Sequence, residues 1–262
     1  MIETHIHDSV VTISLNRPEK RNALNIEILK LLREAIQNSG HRTDIRVLVL
    51  NGKGSVFCAG ADLEFVKQLS EESVSIEFAD LLAGVLEDIR TFPFPVIVQV
   101  QGACMGGANG ILAASDIVIA DINTRFAFSE VKLGLVPAII SPYVLTKIPL
   151  SRAFDLLLTG RMFDSTEAKH AGLVTYTGTQ AELDFIFRQV VSQIVSSAPN
   201  AIKLTRKIIW DHVLRNKWED YLILSRDLFV DVAASAEAKE GINAFFEKRS
   251  PGWAENGNGK LK

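Results

Sequence analysis

The chain has 262 residues, of which 47% are hydrophobic, and a formal net charge of −3. This length and hydrophobic content are sufficient for a packed core. The slightly acidic balance gives no electrostatic reason to expect nucleic acid or an anionic membrane surface as a partner.

The cysteine and histidine content argues against a disulfide-rich protein and against a zinc-binding protein. Cys58 and Cys104 are too few for a disulfide framework, and neither they nor the five scattered histidines have a spacing typical of zinc sites. No apolar run reaches the roughly 18 residues that a transmembrane helix needs. The first residues include acidic side chains, unlike a signal peptide. We therefore predict a cytoplasmic protein without a metal site, although a matrix protein that has lost its transit peptide would have the same features.

The first half of the chain alternates between predicted strands and helices. Polar and apolar residues alternate around Asp8 and Ser9, which predicts a β-hairpin, and Asn25 is placed to cap a helix that ends near Asn38. Further predicted strands are RVLVLNG, PVIVQVQG, DIVIAD and TRFAFSE, and further predicted helices are VSIEFADLLAGVLEDIRTF and GGANGILAAS. The order of these elements predicts an α/β fold. The nearly continuous apolar strands are typical of a parallel sheet that is buried on both faces.

After about residue 139 the pattern becomes almost entirely helical. Ser151, Ser165 and Ser235 are candidate N-caps of these helices. We divide the chain accordingly into a core of residues 1–195 and a helical region of residues 196–262.

Both central predicted strands end in loops of small residues, LVLNGKGSVFCAGADL and IVQVQGACMGGANG. Ligands of α/β proteins bind beyond the carboxyl ends of the strands, and glycine and alanine let a ligand approach the backbone closely. Neither loop has a GxxxxGK[ST] or GxGxxG phosphate-binding pattern. Two such loops could direct two backbone N–H groups at one oxygen, as in an oxyanion hole. Close packing of strands and helices is the alternative explanation.

A carboxylate follows the last strand of this predicted core. Strand alternation places Phe126, Phe128 and Glu130 on the same side, which the phenylalanines mark as buried. A buried carboxylate has a raised pKa, as a general acid or base working near neutral pH requires. If the strand instead ends at Ser129, Glu130 is a surface charge.

These segments together resemble the crotonase family (enoyl-CoA hydratase/isomerase). The resemblance covers almost the whole chain and is carried by LNRPEKRNAL, FCAGADL, VQGACMGGANG, FAFSEVKLGLVP and FFEKR. It implies a spiral of repeated β-β-α units in residues 1–195. It also implies that the helical region of residues 196–262 assembles the chain into a homotrimer or a dimer of trimers.

The resemblance also implies an acyl-CoA site. The backbone N–H groups of Ala61 and Gly107 would bind the thioester oxygen, and Glu130 would be the acid–base residue. The substrate-binding residues that it implies are Lys20, Arg21, Ala23, Ala59, Asp62, Leu63, Met105, Gly106, Gly110, Phe245 and Lys248. CoA would be present as part of the substrate, so no cofactor is expected.

Gly110 departs from the pattern of typical hydratases, which carry a glutamate there and a second one at the position of Glu130. Single-glutamate 3-enoyl-CoA isomerases keep only the second. In contrast, GGANGILAASDIVIA and KLGLVPAIISPYV resemble hydratase-like members that are assigned to branched glutaconyl-CoA substrates, such as methylglutaconyl-CoA hydratases. In such a site Glu130 would activate water alone or with the help of Glu64, Asp116 or a carboxylate of the substrate.

We therefore expect an enoyl-CoA hydratase that uses one glutamate. A 3-enoyl-CoA isomerase is the main alternative. Another enolate reaction such as decarboxylation and a non-catalytic acyl-CoA-binding protein are further alternatives. The expected partners are the acyl-CoA and other copies of the chain, without nucleic acid or membrane.

Overall fold

The computed structural model describes residues 1–213, 218–249 and 251, in which strands and helices alternate as the sequence predicts. The strands are β1 Ile2–His7, β2 Val10–Leu15, β3 Val47–Gly52, β4 Val96–Val100, β5 Ala103–Met105, β6 Ile117–Asp121, β7 Arg125–Ala127, β8 Phe163–Asp164 and β9 Tyr176–Gly178. The helices are α1 Ile26–Gly40, α2 Leu63–Val66, α3 Glu72–Thr91, α4 Ala108–Ala114, α5 Ser141–Lys147, α6 Leu150–Thr159, α7 Ser165–His170, α8 Gln180–Ser196, α9 Pro199–Val213, α10 Trp218–Ala233 and α11 Ala236–Phe246. Two 3-10 turns cover Pro18–Lys20 and Glu130–Leu133.

The strands form two sheets. The larger sheet has the order β1-β2-β3-β4-β6-β9, in which the β1–β2 hairpin is antiparallel and all other pairs are parallel. The smaller sheet has the order β5-β7-β8. Parallel neighbours that are joined by helices agree with the predicted α/β fold.

Local signals account for the first elements. Asp8 adopts a positive φ of 52° in the turn between β1 and β2, a conformation that aspartate tolerates better than most residues. The Asn25 side chain accepts a 2.9 Å hydrogen bond from the Ile28 N–H and so caps α1. The predicted hairpin and cap are therefore confirmed, and α1 ends at Gly40 instead of Asn38.

The structure corrects two details of the second half of the chain. Strands β8 and β9 interrupt the region predicted to be helical, because they pair with β7 and β6. Elements of two or three residues are too short to show a period in the sequence. Ser235 caps α11 as predicted, whereas Pro149 and Asp164 take the N-cap positions expected for Ser151 and Ser165.

Helices cover both faces of the larger sheet. The main apolar cluster contains α1 and α3, and a second cluster lies between the sheet and α8. Val47 and Val49 belong to the second cluster, whereas Leu48 and Leu50 belong to the first. This double coverage explains why β3 is a continuous apolar run.

Helices of the C-terminal region pack on the core. Arg206 of α9 is buried and donates hydrogen bonds to the carboxylate of Asp116 at 2.6 Å and to the carbonyl oxygens of Ile89, Arg90 and Phe92. In α10, the ring of Phe229 lies 6.2 Å from that of Phe78 in α3. The division at residues 195 and 196 and the oligomeric role of the helical region stay predictions. No helix in the described part of the chain is both long and apolar enough to cross a membrane.

Candidate active site

The two small-residue loops lie side by side. Cys58 and Cys104 pair as neighbouring strand residues, and the Met105 N–H donates a 3.1 Å hydrogen bond to the Cys58 carbonyl. A Cβ on Gly60, whose φ is +90°, would lie 3.0 Å from the Met105 carbonyl oxygen. Glycine is therefore needed at residue 60 because the second loop approaches the first so closely. Both cysteines are free and buried, and burial raises the pKa of the Cys58 thiol to about 12, so it is held as an unreactive thiol.

The predicted oxyanion donors meet at one cavity. Ala61 and Gly107 both line a cavity of about 240 Å³. Within the described residues, neither of their backbone N–H groups donates a hydrogen bond to the protein. Two free N–H groups beside one cavity can receive a carbonyl oxygen on which negative charge develops.

Most of the cavity wall is apolar. It includes Leu24, Val66, Phe78, Leu82, Ile139 and Phe229. Among the described lining residues, Glu130 and Lys132 are the charged ones, and Ser129 adds a hydroxyl group. Such a wall suits an aliphatic chain with few polar groups to orient it.

Glu130 presents its carboxylate to this cavity. Its Oε1 lies 3.5 Å from the position that a Cβ on Gly106 would take, next to the Gly107 N–H. Its Oε2 is buried and has no hydrogen-bond partner within the described residues. Burial raises the pKa of this carboxyl group from 4.5 to about 7. The group can therefore accept or donate a proton near neutral pH.

The Glu130 carboxylate is buried by a turn, whereas the sequence predicts a strand. Strand β7 ends at Ala127, and Glu130 begins the 3-10 turn of residues 130–133. The predicted strand alternation up to Glu130 is therefore wrong, although Phe126 and Phe128 are fully buried. The turn directs Glu130 into the cavity, so the alternative of a surface charge is also wrong.

Gly110 does not line the cavity, so the structure does not bring it together with the other predicted substrate-binding residues, and its role stays a prediction. A Cβ at residue 110 would lie 2.5 Å from Cγ2 of Ile140 and 3.0 Å from Cδ1 of Leu86. Ile140 itself lines the cavity. Aliphatic side chains thus fill the space that an acidic side chain at this position would need.

The predicted substrate-binding residues fall into two groups. Those that line the cavity are Ala59, Leu63, Met105, Gly106 and Phe245. Those that do not line it, in addition to Gly110, are Lys20, Arg21, Ala23, Asp62 and Lys248.

Arg21 and Asp62 of the second group make contacts beside the first loop. The Arg21 carbonyl accepts a 3.0 Å hydrogen bond from the Ala59 N–H, which holds the segment of residues 20–23 beside the first loop. The Asp62 carboxylate caps α2 and lies 2.7 Å from the guanidinium of Arg17. Asp62 therefore positions the loop instead of lining the cavity.

The acids considered as helpers of Glu130 are engaged elsewhere. Glu64 is exposed and lies 3.4 Å from the Lys20 ammonium, whereas Asp116 accepts hydrogen bonds from Arg206 and Trp210. Neither lines the cavity, so these two suggestions are wrong.

Sequence reasoning missed Ser129 and Asn109. Ser129 lines the cavity next to Glu130. The Asn109 side chain is buried and donates hydrogen bonds to the carbonyl oxygens of Gly106 and Ala127. A polar residue inside a run of small and apolar residues was the available signal for Asn109. No group of three or more potential metal ligands occurs within the described residues.

Comparisons with known proteins show the family to which the chain belongs. A family model described as enoyl-CoA hydratase/isomerase matches residues 5–256. The chain is 32% identical to an enoyl-CoA hydratase of Mycobacterium tuberculosis, with 96% of this chain and 94% of that protein covered. It is 30% identical to a trans-2-decenoyl-[acyl-carrier-protein] isomerase of Streptococcus mutans, with 94% and 95% covered.

Solved structures show the same fold. A crystal structure of an enoyl-CoA hydratase from Mycobacterium avium matches with a TM-score of 0.86 and 30% identity, and covers 96% of this chain and 98% of its own. The full-length family match and this shared fold establish the classification: the chain belongs to the enoyl-CoA hydratase/isomerase (crotonase) family.

Proposed function

We propose that the chain hydrates a 2-enoyl-CoA and that Glu130 is its single acid–base residue. The observation that carries this proposal is the Glu130 carboxylate, whose pKa is raised to about 7 and whose buried Oε2 has no hydrogen-bond partner within the described residues. It lies at the same cavity as two backbone N–H groups that donate no hydrogen bond within those residues. Such a site can stabilise a thioester enolate and move one proton.

The reaction balances with one carboxylate. Glu130 takes a proton from water while the water oxygen adds to C3 of the enoyl group. The negative charge that develops on the thioester oxygen is stabilised by the N–H groups of Ala61 and Gly107. The protonated Glu130 then returns the same proton to C2. Removing one oxyanion donor typically costs about 10²- to 10³-fold in rate.

The acyl chain would occupy the apolar cavity, with the thioester at the two loops. The CoA arm would leave along Ala59 and Leu63, towards the cations Lys20, Arg21 and Lys248. A homotrimer or a dimer of trimers in the cytoplasm is part of the proposal. Equilibrium sedimentation of the purified protein tests the assembly, and a monomer at micromolar concentration would contradict it.

Isomerisation is the second candidate. It is favoured by the aliphatic filling of the space at Gly110, because Glu130 alone suffices to move a proton from C2 to C4. The Streptococcus mutans relative is named as an isomerase.

A paired assay separates the two reactions. One reaction contains a straight-chain 2-enoyl-CoA, with a branched glutaconyl-CoA as a second substrate, and the other contains the matching 3-enoyl-CoA. Loss of the conjugated thioester absorbance in the first reaction supports hydration. Appearance of that absorbance in the second reaction, without any change in the first, supports isomerisation.

A Glu130→Gln variant separates an enzyme from a binding protein. The variant keeps the size of the side chain and loses the carboxylate. We expect it to bind a saturated acyl-CoA with wild-type affinity, measured by calorimetry, and to lose about 10²- to 10⁴-fold in turnover. Unchanged turnover would contradict the role of Glu130. Binding without turnover in the wild type would favour the non-catalytic protein.

A further inference from the structure

Ser129 has a hydroxyl group without a partner in the wall of the cavity. It lines the cavity, and within the described residues its side chain makes no hydrogen bond. Serine at the start of a helical turn commonly caps the turn with its hydroxyl. Here Ser129 precedes the 3-10 turn of residues 130–133 without capping it. Its hydroxyl is therefore available to a molecule in the cavity.

The hydroxyl and the Glu130 carboxylate lie on the same side of Gly106. The position that a Cβ on Gly106 would take is 3.6 Å from Ser129 Oγ and 3.5 Å from Glu130 Oε1. The missing side chain at Gly106 leaves this space free. The Gly107 N–H follows directly in the chain.

A water molecule needs partners in addition to Glu130. Ordered buried waters typically make about three hydrogen bonds to polar groups. The space at residue 110, where typical hydratases carry their other carboxylate, offers none within the described residues, because Ile140 and Leu86 fill it. A serine hydroxyl can donate one hydrogen bond and accept others.

We infer that Ser129 is a second catalytic residue, whose hydroxyl holds the attacking water beside the Glu130 carboxylate. This inference rests on the proposed hydration. Ser129 performs the water-holding part of the task that a second carboxylate performs in two-glutamate hydratases, and Glu130 performs the whole proton transfer.

The test compares two reactions of one site in Ser129→Ala. The first is hydration of a 2-enoyl-CoA. The second is exchange of the C2 protons of a saturated acyl-CoA with D₂O, which needs Glu130 and the oxyanion donors but no water at C3. We expect hydration to fall by roughly 10- to 100-fold, within the range of positioned acid–base groups, and the exchange rate to stay within about twofold.

Two further variants serve as controls for Ser129→Ala. Ser129→Thr keeps the hydroxyl and is expected to restore hydration to within about fivefold, as a conservative replacement of a positioned group. Ser75→Ala removes a hydroxyl that is bonded within α3, and it controls for the general cost of losing a buried hydroxyl.

Each outcome has one meaning. Wild-type hydration in Ser129→Ala overturns the inference and leaves the proposed function intact. An equal loss of hydration and exchange also overturns it, because Ser129 then acts only by positioning Glu130. A wild-type protein that catalyses exchange without hydration overturns both the inference and the proposed hydration.

Discussion

The side chain of Asn109 donates a 2.9 Å hydrogen bond to the carbonyl oxygen of Ala127. It connects the first turn of α4 to the end of β7, which leads to Glu130 three residues later. The same side chain donates a 3.1 Å hydrogen bond to the Gly106 carbonyl, directly before Gly107, the proposed oxyanion donor. Asn109 therefore joins the segment proposed to stabilise the enolate to the segment that carries Glu130, the proposed base.

Replacing Asn109 is expected to impair turnover more than binding. Asn109→Ala removes both hydrogen bonds, so Gly107 and Glu130 are held less firmly relative to each other. We expect kcat to fall by about tenfold or more, with KM changed less than about threefold. Steady-state kinetics with a 2-enoyl-CoA checks this expectation. The control is Asn51→Ala, which removes an amide whose Oδ1 is unpaired and which lies outside the cavity lining. A similar fall of kcat in the control would contradict the prediction.

The raised pKa of Glu130 predicts the pH dependence of activity. The base must be deprotonated, so the rate should rise with pH up to about 7 and stay level above it. A pH–rate profile of kcat/KM between pH 5 and 9 measures this value. A profile that is flat between pH 5 and 7 would show that Glu130 is not the base.

The free energy of unfolding should fall as pH rises, whereas the reaction rate should increase. Between pH 4.5 and 7 the folded chain keeps the Glu130 proton and the unfolded chain has lost it. The free energy of unfolding that this group contributes is therefore greatest below pH 4.5 and falls as pH rises to 7. Glu130→Gln has no carboxyl group to titrate, so its free energy of unfolding should lack this fall. Relative to the wild type, the free energy of unfolding of the variant should therefore increase by on the order of 3 kcal/mol between pH 4.5 and 8. Urea denaturation at both pH values measures the difference, and parallel behaviour of the two proteins would contradict the cause given for the shift.

Gly110 and Ile140 should behave as a coupled pair. Gly110→Glu alone forces its side chain against Ile140, and overpacking of this kind costs about 1–3 kcal/mol. Adding Ile140→Ala should recover most of that loss and open the new carboxylate to the cavity. A double-mutant cycle on the free energy of unfolding checks the coupling. The control pair is Gly110→Glu with Ile139→Ala, since Ile139 also lines the cavity but is not among the atoms nearest to residue 110. Equal recovery by the control pair would contradict direct contact.

Arg206 should matter far more for stability than a surface arginine. It is 8% exposed, and its removal leaves Asp116 and three carbonyl oxygens short of partners. Arg206→Met should therefore cost about 3–5 kcal/mol of unfolding free energy. Arg42→Ala, which breaks an exposed pair with Asp44, should cost less than about 1 kcal/mol. Chemical denaturation of both variants checks the contrast, which equal costs would contradict.

Most of the fold follows from local patterns in the sequence. The apolar runs of β3 and β4, the cap at Asn25 and the change to helices after residue 139 each have a short-range cause. Because period and capping act within a few residues, they could be interpreted without the tertiary structure. The two small-residue loops and the family motifs likewise pointed to Ala61, Gly107 and Glu130, which line one cavity.

Tertiary contacts decided what these patterns leave open. Strand β9 exists because β6 offers it hydrogen-bonding partners. The Glu130 carboxylate is buried because a 3-10 turn, instead of a strand, directs it into the cavity. Ile140 meets Gly110 although the two are thirty positions apart. Gly106 lies beside both Ser129 and Glu130 because its N–H donates a hydrogen bond to the Ala127 carbonyl at the end of β7. The sequence by itself determined most of the longer helices and strands and the two loops that consist of small residues. Only the folded chain determined which side chains share the cavity, because that depends on contacts between residues that are distant in sequence.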